Sequence, residues 1–384
     1  MLIEIKGVQF VNKGAELMLS AILDKLSIEL PEAEICLAHN KNTPYLKRAK
    51  VGAYQKIELR KNIIDLNRLF YFCPRVLRTY FKTRFGIVSE ADVDVILDAS
   101  GFGYGDQWSD VILQQVASVV KRVKQQKKHY IFLPQSLGPF SRSKNQKYAS
   151  KAFSHASLVF ARETPSYNHA CDLVVKNEHI HQAPDFTNLL EPALSADYSQ
   201  YQDHIILVPN SKMLSSKNQD QWWRDNYVLT LISLANNAIA LGEKVVILNH
   251  SGAEDATLCA EIASHLMVKT EIVEPPNAIR VKALIGRGKL VISSRFHGCV
   301  SALSQSIPCI ATGWSHKYQE LFSEYDMADL LLPSQIAPDE LEQLLENCLQ
   351  QLEYKKRGLE KNAKAFKLQS EQMWQTVFAM IKQP

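Results

Sequence analysis

The sequence contains no CxxC pair, no HExxH, no GxSxG, no P-loop and no GxGxxG with an acid at dinucleotide spacing. Those absences remove the usual signatures of bound zinc, serine hydrolases, triphosphate-cleaving enzymes and nicotinamide folds. No carboxylate-rich triad suggests a metal, and no metal or cofactor is expected. The seven cysteines (Cys36, Cys73, Cys171, Cys259, Cys299, Cys309 and Cys348) are scattered, the pattern of reduced thiols, so the expected compartment is the cytoplasm. MLIEIKG has an acid at position 4 and runs straight into a strand, so no signal peptide is expected. No run approaches 18 uncharged apolar residues, so no membrane span is expected either. Net charge is only +4, too little to call for nucleic acid.

What is present is ordinary globular composition, 46% apolar and 22% charged over 384 residues, enough for two domains. Short aliphatic and β-branched runs alternate with amphipathic stretches. Strands are predicted at Leu2–Lys6, Glu34–Ala38, Val93–Ala99, Tyr130–Pro134, Leu158–Ala161, Ile205–Pro209, Lys244–Asn249, Glu271–Val273, Leu290–Ser293 and Cys309–Ala311. They are continuous rather than alternating, as strands covered by helices on both faces are. Helices are predicted at Gly14–Glu29, Ser109–Gln126, Asp220–Leu241, Glu254–Leu266 and Ala337–Leu352. Strand–helix–strand order implies parallel sheets with right-handed crossovers.

The pattern breaks once, at Thr187–Asp203. The expected fold is therefore α/β, with two Rossmann-like domains whose parallel sheets face each other across a cleft, residues 1–195 and 196–352. A helix in 353–384 is expected to pack back on the first domain.

Ligands of such folds sit at the carboxyl ends of strands. After the first strand, Asn12 caps a turn and Gly14 lets the backbone approach an anion at a helix start, or the pair is simply a tight capped turn. Gly101, Phe102, Gly103 and Asp106 form a glycine-rich loop after the Val93–Ala99 run. Gln135 stands at the next strand end. Arg162 leaves the Leu158–Ala161 strand, aimed at a substrate anion or capping a neighbouring carboxylate. Asp185 closes the first domain, with a turn-forming role as its plain reading. His250 follows a strand of the second half and is a candidate titratable group, in a segment that also reads as a helix-capping turn. The strongest constellation is Ser293-Ser294-Arg295-Phe296-His297-Gly298. There a buried strand delivers an arginine suited to bidentate anion binding and a histidine able to exchange protons near neutral pH.

In order, NKGAE, DASGFGYGDQ, PQSLGPF, ARE, APDF and SSRFHG resemble the motifs of the polysaccharide pyruvyl transferase family, over roughly residues 1–325. The resemblance implies a GT-B-like fold and transfer of a pyruvyl group from phosphoenolpyruvate, as co-substrate, to sugar hydroxyls, usually as a cyclic ketal. It implies a donor site holding Arg295 and His297, with Phe296 and Gly298 beside them, His297 as the catalytic group and Arg162 as a second anion clamp. The acceptor is then a sugar of a polysaccharide or of its lipid-linked precursor. The first motif reads Gly-Ala-Glu where Gly-Asp is common, which leaves open whether Glu16 replaces that acid. A GT-B glycosyltransferase with a nucleotide-sugar donor is the competing reading.

Leu59–Phe85 has no counterpart in those motifs. Residues 60–84 hold seven basic side chains against one acid, Asp65, so the rest of the chain is net negative. With Phe70, Tyr71, Phe72, Tyr80, Phe81 and Phe85, the stretch reads either as a peripheral contact with the inner face of the plasma membrane or as an inward-packed helix with a solvated basic face.

Overall fold

The computed structural model describes residues 1–192, 196–216, 218–313 and 315–382. The chain divides into two compact units. One comprises Met1–Val11, Ala21–Phe186 and Gln369–Pro384; the other comprises Asn12–Ser20 and Thr187–Leu368. The predicted boundary at 195–196 abuts residues 193–195, which lie outside the described residues.

The first unit holds strands β1 (Leu2–Lys6), β2 (Glu34–Ala38), β3 (Tyr54–Lys56), β4 (Arg60–Lys61), β5 (Ile64–Asp65), β6 (Ile87–Val88), β7 (Val95–Asp98), β8 (His129–Gln135), β9 (Leu158–Ala161) and β10 (Ile180–Gln182). Eight of them form one parallel sheet, in the order β10-β9-β8-β7-β1-β2-β3-β6; β4 and β5 pair separately as a small antiparallel hairpin. Its helices are α1 (Lys13–Glu29, from Ala21 onward), α2 (Tyr45–Lys50), α3 (Arg75–Phe85), α4 (Asp110–Gln125), α5 (Ser143–Phe153) and α6 (Thr164–Cys171). The chain reverses direction of travel across the sheet between β1 and β7. Their carboxyl ends are thus the switch point where α/β sheets open a crevice.

The second unit repeats the plan with β11 (Ile205–Val208), β12 (Val245–Leu248), β13 (Ile272–Val273), β14 (Leu290–Ser293) and β15 (Cys309–Ala311), ordered β13-β12-β11-β14-β15 and all parallel. Here the switch point lies between β11 and β14. Its helices are α7 (Gln221–Ala240), α8 (Gly252–Ser264), α9 (Ala278–Ile285), α10 (Phe296–Leu303), α11 (His316–Glu324) and α12 (Pro338–Gln350). Every residue of β11 and β14 is buried, which explains their unbroken aliphatic sequence. Asp220 caps α7 by accepting from Trp223 N, and Asn277 caps α9 by accepting from Arg280 N.

A final helix, α13 (Leu352–Ile381), contributes to both units. Leu359 and Ala363 join the second core, whereas Trp374 meets Phe186 edge-on at 5.9 Å in the first.

The predicted strands and helices are present, with ends shifted by no more than two residues. Strands β3, β6 and β10 were not predicted. They sit at or next to sheet edges and read Tyr-Gln-Lys, Ile-Val and Ile-His-Gln, too short or too polar to form an aliphatic run. The Thr187–Asp203 stretch, predicted without helix, contains short 3-10 turns at Phe186–Leu189 and Ala196–Tyr201. The aromatic side chains of 59–85 do not all pack inward: Phe72, Tyr80, Phe81 and Phe85 are exposed. Among the described residues no helix is long and apolar enough to cross a membrane.

Candidate active site

At the switch point of the second unit, β14 ends at Ser293 and α10 begins at Phe296, leaving Ser294 and Arg295 to make the turn. Ser294 is fully buried, and the turn is fastened through it. Its hydroxyl accepts from Tyr227 (2.8 Å) and Thr312 (2.8 Å), and its carbonyl accepts from Asn210 Nδ2 (2.8 Å) and Tyr318 (2.9 Å). Side chains from four other segments thereby fix one residue. Gly298 follows because the next turn of α10 crowds Ser293: a Cβ at 298 would lie 2.5 Å from Ser293 Oγ.

Arg295 is held from its far side. Its Nη2 donates to Asp255, a fully buried carboxylate in the first turn of α8, whose other oxygen accepts from Ser211 N at 3.0 Å. Arg295 Nε is buried with no hydrogen-bond partner among the described residues. The guanidinium is therefore oriented by one carboxylate yet keeps a donor for an incoming anion.

His297 sits one helical step further, its ring edge-on to Phe296 at 5.5 Å. Lys317, from the first turn of α11, lies 4.9 Å above the Phe296 ring. The first turn of α1 reaches the same histidine. Gly14 approaches so closely that any Cβ there would overlap His297 Nδ1, while Asn12 caps the turn by accepting from Gly14 N at 2.9 Å. Lys13 N bonds Ser251 Oγ at 3.4 Å, and Lys13 Nζ bonds Glu16 at 2.8 Å and the Pro276 carbonyl at 3.1 Å.

His250, after β12, is buried, with Nδ1 3.1 Å from Ser251 Oγ. Burial, then the positive fields of Arg295, His297 and Lys13, push its pKa well below the ordinary histidine value. The sequence offered His250 either as a titratable group or as part of a helix-capping turn; its burial just before α8 disfavours the charged form. The same fields mark the place electrostatically: Arg295, His297 and Lys13 converge there, with Asp255, Glu254 and Glu16 as their nearby acids, and Arg295 keeps a donor that none of them takes.

The first unit gathers the other candidates. Gly101, Phe102 and Gly103 follow β7; Gly101 O accepts from Ser136 N (2.9 Å), and Phe102 O accepts from the Trp108 indole (2.7 Å). Asp106 receives Ser141 N and Asn145 Nδ2 (2.8 Å), and Arg142 also points to it. Burial alone would raise its pKa, but these hydrogen bonds together hold the carboxyl at about 2. Gln135 is fully buried, its amide donating to the Asp98 and Leu133 carbonyls, while its Oε1 has no hydrogen-bond partner among the described residues.

Arg162 is buried, with Nη1 on Asp185 (3.2 Å), Nη2 on Ser136 (2.7 Å) and Nε on Glu163 (3.3 Å). That is the carboxylate-capping arrangement, and it joins Arg162 to Asp185. Arg295 and His297 belong to the second unit and Arg162 to the first.

Two residues of these sites were not picked out from the sequence. Asp255 was legible only as part of a capping turn. Asp98, at the end of β7, takes hydroxyls from Ser100 (2.5 Å), Tyr104 (2.6 Å) and Tyr130, with Lys6 at 3.8 Å. An acid closing an aliphatic strand, Val-Ile-Leu-Asp, is the signal that would have exposed it. Among the described residues no group of three His, Cys, Asp or Glu is placed to hold a metal ion.

In fold, the chain is similar to UDP-N-acetylglucosamine 2-epimerases. The Neisseria meningitidis enzyme bound to UDP-GlcNAc matches over 98% of this chain and 99% of its own, at 11% identity and a TM-score of 0.61. The Methanocaldococcus jannaschii epimerase matches over 90% and 92%, at 12% identity and 0.55. Anabaena Alr3699/HepE, solved with UDP and glucose, matches over 99% and 100%, at 13% identity and 0.54. Identities this low speak for the shared GT-B architecture alone. No curated protein matches the sequence. The model of polysaccharide pyruvyl transferases does, over residues 12–316. That span opens at the Asn12–Gly14 turn against His297 and takes in the whole Ser293–Gly298 turn with its Asp255 anchor, so sequence and geometry agree that the chain belongs to the polysaccharide pyruvyl transferase family.

Proposed function

We propose that the protein moves the pyruvyl group of phosphoenolpyruvate onto two hydroxyls of a sugar, in a polysaccharide or its lipid-linked precursor, as a cyclic ketal. The observation that carries this reading is the turn after β14. It sets Arg295 and His297 two residues apart at a switch point, with an unused Arg295 donor and with His250 nearby, whose charged form is disfavoured by burial and then by the positive field of Arg295, His297 and Lys13. Phosphoenolpyruvate brings a carboxylate and a phosphate, the anions such a turn and the start of α10 attract.

In the proposed reaction one sugar hydroxyl adds to C2 of the donor and gives up its proton to a base, while His297 delivers a proton to the methylene carbon, which becomes the methyl group. The C2–O bond to phosphate then breaks, inorganic phosphate leaves with the bonding electron pair, and Arg295 stabilises its charge. A second hydroxyl adds to the same carbon and loses its proton, closing the ketal.

The test is incubation with phosphoenolpyruvate and a panel of sugar acceptors, following phosphate release and the ketal methyl signal by NMR. Acceptor-dependent release is expected, and His297→Ala should slow it at least about a hundredfold while the fold persists. Near-normal turnover of His297→Ala removes the histidine from the mechanism. Consumption of a nucleotide-sugar, with phosphoenolpyruvate left intact, replaces pyruvyl transfer by glycosyl transfer.

A further inference from the structure

Helix α3 is built inside out. None of its eleven residues is buried. The side turned to the protein is charged: Arg78 pairs with Asp92 and also donates to the Cys73 carbonyl (3.2 Å), and Lys82 pairs with Glu34 and sits 5.1 Å over the Tyr54 ring. Much of the remaining surface is apolar, with Thr79, Thr83 and Arg84 among it. Val76 is 82% exposed, Phe72 just before the helix is 84% exposed, and Leu77 is exposed with them. Tyr80, Phe81 and Phe85 make a cluster of rings in mutual contact at 5.9–6.0 Å, all facing solvent. A surface helix ordinarily turns its apolar stripe to the core and its charges to water. A contiguous apolar surface of this kind marks an interaction site.

The charge around it identifies the occupant. Lys61, Arg68, Arg75 and Arg84 are exposed and form no ion pair among the described residues. The single acid of the segment, Asp65, is already bound by Arg60 and Arg122. We propose that α3 and the turn before it dock on the surface of an anionic phospholipid bilayer, with the rings at headgroup depth and the four free cations against lipid phosphates. A second copy of the same face is a poorer partner, because it would set Arg75 and Arg84 against their like. This proposal is independent of the reaction assigned to the chain.

Flotation of the purified chain with vesicles tests it. Binding is expected to vesicles of phosphatidylcholine with a third phosphatidylglycerol, to be weak on phosphatidylcholine alone, and to fall as salt rises. Replacing Arg75 and Arg84 by Gln should lower the partition coefficient by roughly 25-fold, since each cation near such a surface is worth about fivefold. Val76→Ser with Phe81→Ser should also release the protein. Neither pair touches the core, and unchanged thermal unfolding would confirm the fold. Absence of binding to anionic vesicles at low salt overturns the proposal. So does binding that ignores both pairs of substitutions. A dimer in solution that the serine variant splits, without vesicle binding, assigns the face to a second copy instead.

Discussion

At the scale of single residues, His250 shows what a crowded cationic site costs the fold. Its pKa is pushed down by burial and by Arg295, His297 and Lys13, so the native state resists its protonation while the unfolded chain accepts a proton near pH 6.5. A depressed histidine leaves stability intact above that value and removes it below, because only the unfolded state gains the proton. The limit is about 1.4 kcal/mol per pH unit for one such group. Denaturant midpoints should therefore fall between pH 7 and pH 5, and fall less steeply in His250→Gln. His129 and His181 are also lowered by burial and act in the same window, so the difference between the two slopes, rather than the slope itself, reports His250. Parallel slopes for wild type and variant would mean that His250 protonates freely in the native state.

At the scale of elements, the informative unit is the β14–α10 turn, because its position depends on side chains from four other segments meeting at Ser294. Ser294→Ala keeps the size of the site but strips Tyr227 and Thr312 of a buried acceptor. Leaving such groups unsatisfied costs about 2–3 kcal/mol. The variant should lose that much in chemical denaturation and bind phosphoenolpyruvate more weakly, since Arg295 rides on the turn. Full stability in the variant would show that the hydroxyl is not the fastening point. This turn was also the most readable part of the sequence. An aliphatic run followed at once by a charged residue and a histidine marked the strand Leu290–Ser293 and the turn after it, whereas the helix that begins at Phe296 was not predicted. Asp255 and Ser294 could not be read in this way, because their importance arises from partners 40 and 67 residues away that only folding assembles. Arg162 is the reverse case. Its place at a strand end and a carboxylate-capping role were legible, with Glu163 next to it in sequence, but Ser136 and Asp185 reach its fork from 26 and 23 residues away. The strands at and next to the sheet edges escaped for a different reason: β10, at one edge, and β3, next to the other, are short and half polar, and positions there impose no apolar run.

For the molecule as a whole, folding stability itself can separate the proposed donor from a nucleotide. A ligand that binds only the native chain stabilises it by about 2.7 kcal/mol at a hundred times its dissociation constant. The proposed donor, phosphoenolpyruvate, is a small anion suited to the Arg295 turn, whereas the competing glycosyl-transfer reading calls for a nucleotide. The two ligands therefore make opposite predictions in one thermal unfolding experiment. Phosphoenolpyruvate should raise the midpoint in a saturable way and inorganic phosphate should raise it less, because the phosphate lacks the carboxylate. UDP should leave it unchanged. Arg295→Lys keeps the charge but loses the planar fork that Asp255 orients, so its midpoint should respond only weakly to phosphoenolpyruvate. Should UDP stabilise the chain as much as phosphoenolpyruvate does, with Arg295→Lys responding like wild type, the donor would not be held by this turn, and glycosyl transfer would be the better reading.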